Sequence, residues 1–192
     1  VTGKKLLDGS DHMQELTMAV NATAHFWTVK SVLPAMIEND HGHIVTIAST
    51  AGMLGVAGLA DYCASKAAAL RFDESLRLEI RKLGLKGVNS TCVCPFFVKT
   101  GMFEGAQSKW PWLLPMLEPE WAADRIVSAI RRNQWELVMP IIVQIVPVVR
   151  GLLPIAVCAD LVEWFGVSDS MDDFKGRVHA YPVGAADEKK KH

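Results

Sequence analysis

Residues 49–66 read STAGMLGVAGLADYCASK, and the reading of the whole chain turns on them. Tyr62 and Lys66 are four positions apart, which on a helix puts both side chains on one face. A free phenol ionises near pH ~10, too high for a base at neutral pH. An ammonium ~4 Å away at an effective dielectric of ~20 contributes roughly 4 kcal/mol, a drop of about 3 in pKa. The pair is therefore a candidate acid/base for an alcohol or carbonyl oxygen. Ser49 stands thirteen residues before Tyr62, at the end of an apolar run, and can hydrogen-bond that same oxygen. The bland alternative is a surface tyrosine beside a solvated lysine.

Working outward, Ile44 to Ala48 is rich in β-branched residues and predicts a strand covered on both faces. Residues 60–80 predict a helix that ends near Lys82-Leu83-Gly84. Gly87 to Cys94 predicts a second strand, closed by Pro95, with Cys92 and Cys94 facing one side. Glu118 to Arg132 is amphipathic, with Ala122, Ile126, Ala129 and Ile130 on one side, and Trp135 to Met139 predicts a last strand. Towards the N-terminus, Asp11 is a helix-cap candidate. Leu16, Val20, Ala24 and Trp27 follow at helical spacing and predict one buried face. Pro34 is expected to kink or interrupt that helix before the breaker at residues 39–42. Strands alternating with helices predict an α/β fold with a parallel sheet. Ligands in such sheets lie at the carboxyl ends of the strands, where Ser49 and residues 95–100 fall.

Asn21 sits mid-helix, where asparagine has poor propensity, twenty-eight residues before Ser49. An Asn-Ser-Tyr-Lys set at these spacings, with CPFFVKT after the second strand, resembles the short-chain dehydrogenase/reductase family. The resemblance implies that Asn21, Ser49, Tyr62 and Lys66 are catalytic and that Ser49 and Tyr62 also bind substrate. It implies a nicotinamide cofactor, NAD or NADP, held by Tyr62, Lys66, Pro95, Val98 and Thr100. Asn21 would support a water relay to Lys66. Phe96 stands where the family commonly has glycine. The texts DHGHIV, GLADYCASK, CPFFVKTGMFEG and the closing KKKH resemble most the branch of membrane-associated retinol and hydroxysteroid dehydrogenases. The family's glycine-rich dinucleotide loop has no counterpart here, and Val1 is not an initiator methionine. The chain therefore reads as the C-terminal part of a Rossmann-type doubly wound parallel sheet, a fragment or truncated form whose N-terminal strands and glycine loop are missing. Alone it is expected to be inactive.

On this reading residues 1–139 are a partial dinucleotide-binding unit, 140–166 an apolar segment of the same domain, and 167–192 a tail. Residues 109–117 carry two tryptophans and two prolines and read as an apolar cover over an apolar substrate. The segment after Met139 is broken by Gln144, Pro147, Arg150 and Pro154, too often for a spanning helix of ~20 apolar residues. It could lie in a membrane surface with Arg150 reaching the headgroups, or pack in the core or against a second copy. Lys189 and Lys190 have the spacing of a dilysine retrieval signal, which suggests the cytosolic face of the endoplasmic reticulum or a lipid droplet. A net charge of −1 gives no reason to expect nucleic acid. The four cysteines form no disulfide framework, and His41 and His43 read as loop residues, so no metal is expected. The resemblance implies oxidation of all-trans-retinol to retinal, with a 17β-hydroxysteroid dehydrogenase or a non-catalytic membrane-surface protein as rivals.

Overall fold

The computed structural model describes residues 1–176 of the 192. Its centre is a parallel sheet of three strands, β1 (Gly42–Ile47), β2 (Val88–Pro95) and β3 (Glu136–Met139), in the order β1-β2-β3. Among the described residues six α-helices surround it: α1 (Asp11–Met18), α2 (Ala24–Glu38), α3 (Ala60–Lys82), α4 (Pro119–Arg131), α5 (Val146–Leu152) and α6 (Ile155–Trp164). β2 is buried on both faces, as a central parallel strand must be. Its alternate residues Cys92 and Cys94 face α3, with their sulfurs 3.9 Å apart, while Val93 packs with Ala122 and Ala129 of α4. The register Thr46↔Cys92 and Cys94↔Val138 aligns the carboxyl ends of all three strands.

β1 departs from the expectation of two covered faces. Ile44 and Thr46 are buried, but Ile47 is 46% exposed. α2 and α3 lie over one face of β1, whereas α4 packs against β2 and β3. Among the described residues β1 pairs with β2 alone, so it is an edge strand.

α3 is held by one long stripe. Tyr62, Ser65, Ala69, Asp73, Leu76 and Ile80 recur every three or four residues and are all buried. Asp61 accepts from the Tyr62 amide in the first turn (2.8 Å), and Arg81 and Lys82 sit at the carboxyl end, both favourable to the helix dipole.

The N-terminal helix corrects two expectations. It runs through Pro34 without interruption and ends at Glu38, just before the expected breaker. Its regular winding is instead broken earlier, by a π-helical turn over Ala19–Thr23. The wider turn changes which side faces inward. Leu16, Val20 and Trp27 are exposed, while Thr17 and Ala22 are buried and Val29, Leu33 and Met36 pack on Ile44 and Ile80.

Residues 140–166 form a 3-10 turn (Ile141–Ile145) followed by α5 and α6, with Val143 and Cys158 turned inward. Among the described residues no helix is long and apolar enough to cross a membrane. Residues 167–176, expected to belong to the tail, are packed against the rest of the chain. Ser170 and Met171 are buried, the Gln107 amide donates to Ser170 O (3.0 Å), and the Lys175 amide donates to Glu104 O (2.9 Å). Gly105 permits this contact with φ +86°, since a Cβ there would lie 2.0 Å from Asp173 O. The terminal lysines Lys189 to Lys191 lie outside the described residues.

Two histidines are built into the helix–sheet layer. His43 lies in β1 rather than in a loop, with Nε2 2.8 Å from Thr91 Oγ1, and His25 stacks on Phe72 at 5.7 Å. Burial pushes both below the ordinary 6.5, although Asp73 pulls each partly back up. The unfolded chain then takes up protons that the folded chain refuses. Stability contributed by the neutral rings is present above pH 6.5 and lost as pH falls through the folded values. The urea midpoint is expected to drop between pH 7.5 and 5.5, and His25→Gln with His43→Gln to flatten that drop. A midpoint unchanged over this range in the parent would show that neither ring matters.

Candidate active site

The residues singled out in the sequence come from four elements, and the sheet brings most of them together. Ser49 follows β1 in extended backbone (φ −169°, ψ 158°), and its hydroxyl caps a 3-10 turn, Thr50–Gly52, by accepting from the Ala51 amide at 3.2 Å. That turn lies directly on α3. A Cβ on Gly52 would stand 2.7 Å from Lys66 O, so only glycine lets the turn approach. Pro95 ends the adjacent strand, and its carbonyl accepts from both Ser49 Oγ and Thr50 Oγ1 at 3.3 Å. The first turns of α3 then supply Tyr62, buried and lining the same cavity as Ser49. Lys66 Nζ lies 5.7 Å from the centre of the Tyr62 ring and donates to Ile47 O at 2.8 Å.

Sequence spacing does not show what these side chains touch. Asn21 projects from the π-helical turn and donates from Nδ2 to Ser65 Oγ (3.2 Å), the residue next to Lys66. Ser65 in turn donates to Tyr62 O (2.8 Å), so Asn21 braces the backbone between Tyr62 and Lys66. Phe103 packs edge-on to the Tyr62 ring at 5.8 Å, backed by Phe97 and Phe174. No periodicity links these aromatics to Tyr62, whereas Thr50, beside Ser49, could have been found by position. Val98 bridges to Leu117, and its carbonyl accepts from the Thr100 amide at 2.8 Å. Phe96, at the position of the usual glycine, packs on Phe97 at 4.6 Å.

The electrostatics differ from the expectation that Lys66 draws the phenol towards neutrality. Burial pushes the Tyr62 phenol above its ordinary value, and the hydrogen bond from Ser49 only partly offsets this. The Lys66 ammonium, 5.7 Å from the ring centre, donates to Ile47 O. Lys66 is itself pushed below the ordinary lysine range by burial, with Cys92 and Cys94 opposing.

Ser49, Tyr62, Lys66, Pro95, Val98 and Thr100 all line one cavity of about 920 Å³. Its remaining wall is largely apolar, from Phe97, Phe103, Leu113, Ile126, Val146 and Val149 among others. This size and character suit an apolar small molecule together with part of a larger one. Lys66 has an ammonium with donors to spare beyond Ile47 O, and Thr100 offers an exposed hydroxyl, so the donor set fits a polar ribose and amide.

The sequence matches the short chain dehydrogenase family over residues 2–110. It is 48% identical over 174 residues to epidermal retinol dehydrogenase 2 of Homo sapiens, covering 91% of this chain and 56% of that protein. It is 45% identical to short-chain dehydrogenase/reductase family 16C member 6 of Bos taurus (91% and 55% covered). To retinol dehydrogenase 10 of Homo sapiens it is 39% identical over 176 residues, with 91% and 52% covered. The chain thus spans about half the length of the curated relatives it matches. Among solved structures, a short chain dehydrogenase from Burkholderia cenocepacia in complex with NADP superposes with a TM-score of 0.68 at 24% identity. That likeness covers 83% of this chain and 63% of the other, and is one of fold. Together the parallel sheet, the Ser49–Tyr62–Lys66 grouping at its carboxyl edge and these matches establish that the chain belongs to the short-chain dehydrogenase family.

Proposed function

We propose that the protein carrying this chain is an NAD- or NADP-dependent oxidoreductase that oxidises an apolar alcohol, all-trans-retinol, to the aldehyde. The observation that carries this reading is the convergence of Ser49, Tyr62 and Lys66 on one apolar cavity. A nicotinamide cofactor, when bound, supplies the hydride acceptor. Tyr62 and Lys66 would hold its ribose, and Pro95, Val98 and Thr100 its carboxamide end. Ser49 and Tyr62 hold the substrate oxygen between two hydroxyls that line the same cavity. The proton moves between that oxygen and the Tyr62 phenol. The phenol gives that proton in carbonyl reduction and takes it, as the phenolate, in alcohol oxidation. Asn21 acts through Ser65 as a positioning residue for the Tyr62–Lys66 turn.

The cavity wall favours a long apolar substrate, and the names of the relatives favour a retinoid over a steroid. The site belongs, on this proposal, to the cytosolic face of the endoplasmic reticulum or to a lipid droplet. A homodimer would use the exposed apolar stripe Leu16, Val20 and Trp27. The test is turnover of all-trans-retinol and of a 17β-hydroxysteroid by the full protein, with NAD and NADP, in both directions. Retinal formation at a kcat/KM well above that for the steroid is the expected result. Steroid preference would transfer the reading to a hydroxysteroid dehydrogenase, and no turnover of either would leave a non-catalytic protein.

A further inference from the structure

A second cavity, of about 520 Å³, lies between α4 and β3, and it shares no lining residue with the cavity of Tyr62. Its floor is apolar and belongs to the core. Leu117, Leu137, Val138 and Met139 line it, and none is more than 5% exposed. The last three are consecutive in β3, so their side chains point to alternate faces and meet the cavity along the edge of the strand. Among the described residues that strand pairs with β2 alone, which leaves this edge open. The chemistry sits on the rim. Glu118 and Arg125 are the one acid and the one base among the lining residues. The Glu118 carboxylate is taken by the Lys99 ammonium, whereas Arg125 enters none of the ion pairs among the described residues. The lining therefore keeps one uncompensated positive charge.

That cation is held in place. Trp121 and Arg125 are four apart on α4 and share a face. The guanidinium carbon lies 5.8 Å from the centre of the Trp121 ring. A guanidinium stacked on an indole keeps the edge of its planar fork free, and that edge pairs with a carboxylate through two parallel N–H donors. Gln144, exposed on the 3-10 turn after β3, sets a side-chain amide on the same rim. An apolar wall with a few convergent polar groups, at this volume, is the usual make-up of a small-molecule site. A bare inorganic anion would leave the apolar floor unused, and a neutral hydrocarbon would leave the guanidinium unanswered. The floor also carries the loop assigned to the cofactor. The Leu117 amide donates to Phe97 O (2.8 Å), the Lys99 amide to Leu117 O (3.0 Å) and the Phe96 amide to Met139 O (2.7 Å). A molecule seated on Leu117 and Met139 thus lies against the back of residues 96–99.

We infer that this second cavity binds an apolar carboxylate, with its charge on Arg125 and its chain over Leu117, Leu137 and Met139, and that the cofactor loop feels its occupancy across that floor. The site lies beyond the proposed oxidation, and its loading is read without turnover. Dodecanoate, kept below its micelle-forming concentration, is titrated into the full protein by calorimetry. Arg125→Gln is expected to weaken its binding roughly tenfold or more, and Arg125→Lys, which keeps the charge, by less. Methyl dodecanoate, the uncharged counterpart, is expected to bind parent and Arg125→Gln alike. Lys66→Ala and Arg150→Gln each remove a cation from the catalytic cavity and are expected to leave dodecanoate affinity unchanged. Arg125 is exposed, so its replacement should leave the urea midpoint in place. Saturating dodecanoate is expected to tighten NADH about fivefold in the parent, by bracing the loop from behind, and to have no such effect in Arg125→Gln. Dodecanoate affinity unmoved by Arg125→Gln, or lost with Lys66→Ala instead, overturns the site. NADH affinity indifferent to dodecanoate overturns the link to the loop. If light scattering shows a dimer that Arg125→Gln dissociates, the cavity is an interface between copies and the proposal falls. Arg125-dependent binding without turnover of any alcohol would sink the functional reading alone.

Discussion

Tyr62→Phe is expected to lower kcat in the full protein by roughly 100- to 10,000-fold while leaving the fold unchanged and weakening cofactor affinity by about tenfold or less, one ribose contact being lost and that of Lys66 kept. The substitution removes one oxygen. The ring stays buried against Phe103, and Ser49 keeps its bond to Pro95 O, so no buried hydroxyl is orphaned. The loss to stability should be about 1 kcal/mol, one neutral hydrogen bond. The contrast with Lys66→Ala sharpens the test. That change strips an ammonium from Ile47 O and from the side of the cavity assigned to ribose, so affinity for NADH falls along with turnover. Stopped-flow turnover and NADH fluorescence titration on both variants separate the two roles. Retinol oxidation within tenfold of the parent by the phenylalanine variant would remove Tyr62 from the proton chemistry.

The largest effect on stability is expected at Asp73, which is 0% exposed and far from any reacting atom. Its Oδ2 accepts from Arg77 Nη2 and from Ser90 Oγ (3.3 Å), while Oδ1 is buried with no protein partner. All compensation for the carboxylate thus falls on one oxygen. Arg77 extends the network, from Nε to Ser90 Oγ (3.1 Å) and from Nη2 to Trp135 O (2.9 Å), and its guanidinium stacks over Trp135 at 5.6 Å. Four groups therefore tie α3 to β2 and to the start of β3. Asp73→Ala leaves a largely buried guanidinium without its counter-ion, and should destabilise the chain by about 3–5 kcal/mol. Replacing both partners, Asp73→Leu with Arg77→Met, should cost far less, because no charge is then stranded. Urea denaturation of the two variants measures the difference. Equal losses would show that the ion pair is no more than packing.

The parts of this architecture that were legible in the sequence are those with short, local causes. β1, β2, α3, α4 and β3 fall within a residue or two of their expected places because β-branched runs, a 3.6-residue stripe and Pro95 mark them directly. Ser49, Tyr62 and Lys66 meet because one turn and one helix face position all three. What escaped has long-range causes. Phe103, Phe174 and Met171 close over Tyr62 from segments with no repeat, and residues 167–176 looked like a tail because their partners, Glu104 and Gln107, are distant in sequence. The charge environment of Tyr62 escaped for another reason. Spacing put Lys66 on the right face but could not tell that its ammonium would prefer the carbonyl of Ile47.

The π-helical turn at Ala19–Thr23 acts as a phase shifter in the longest run of helix before the sheet. One residue more than an α turn rotates everything beyond it by roughly 100°. That rotation lets Asn21 reach Ser65 while Val29, Leu33 and Met36 still meet Ile44 and Ile80. A sequence change that deletes one residue between positions 19 and 23 would leave composition and hydrophobicity almost untouched. It would nevertheless force a choice between the brace at the active site and the seal over β1. Insertions and deletions in this stretch should accordingly be tolerated far less than substitutions, a constraint on length rather than on residue type.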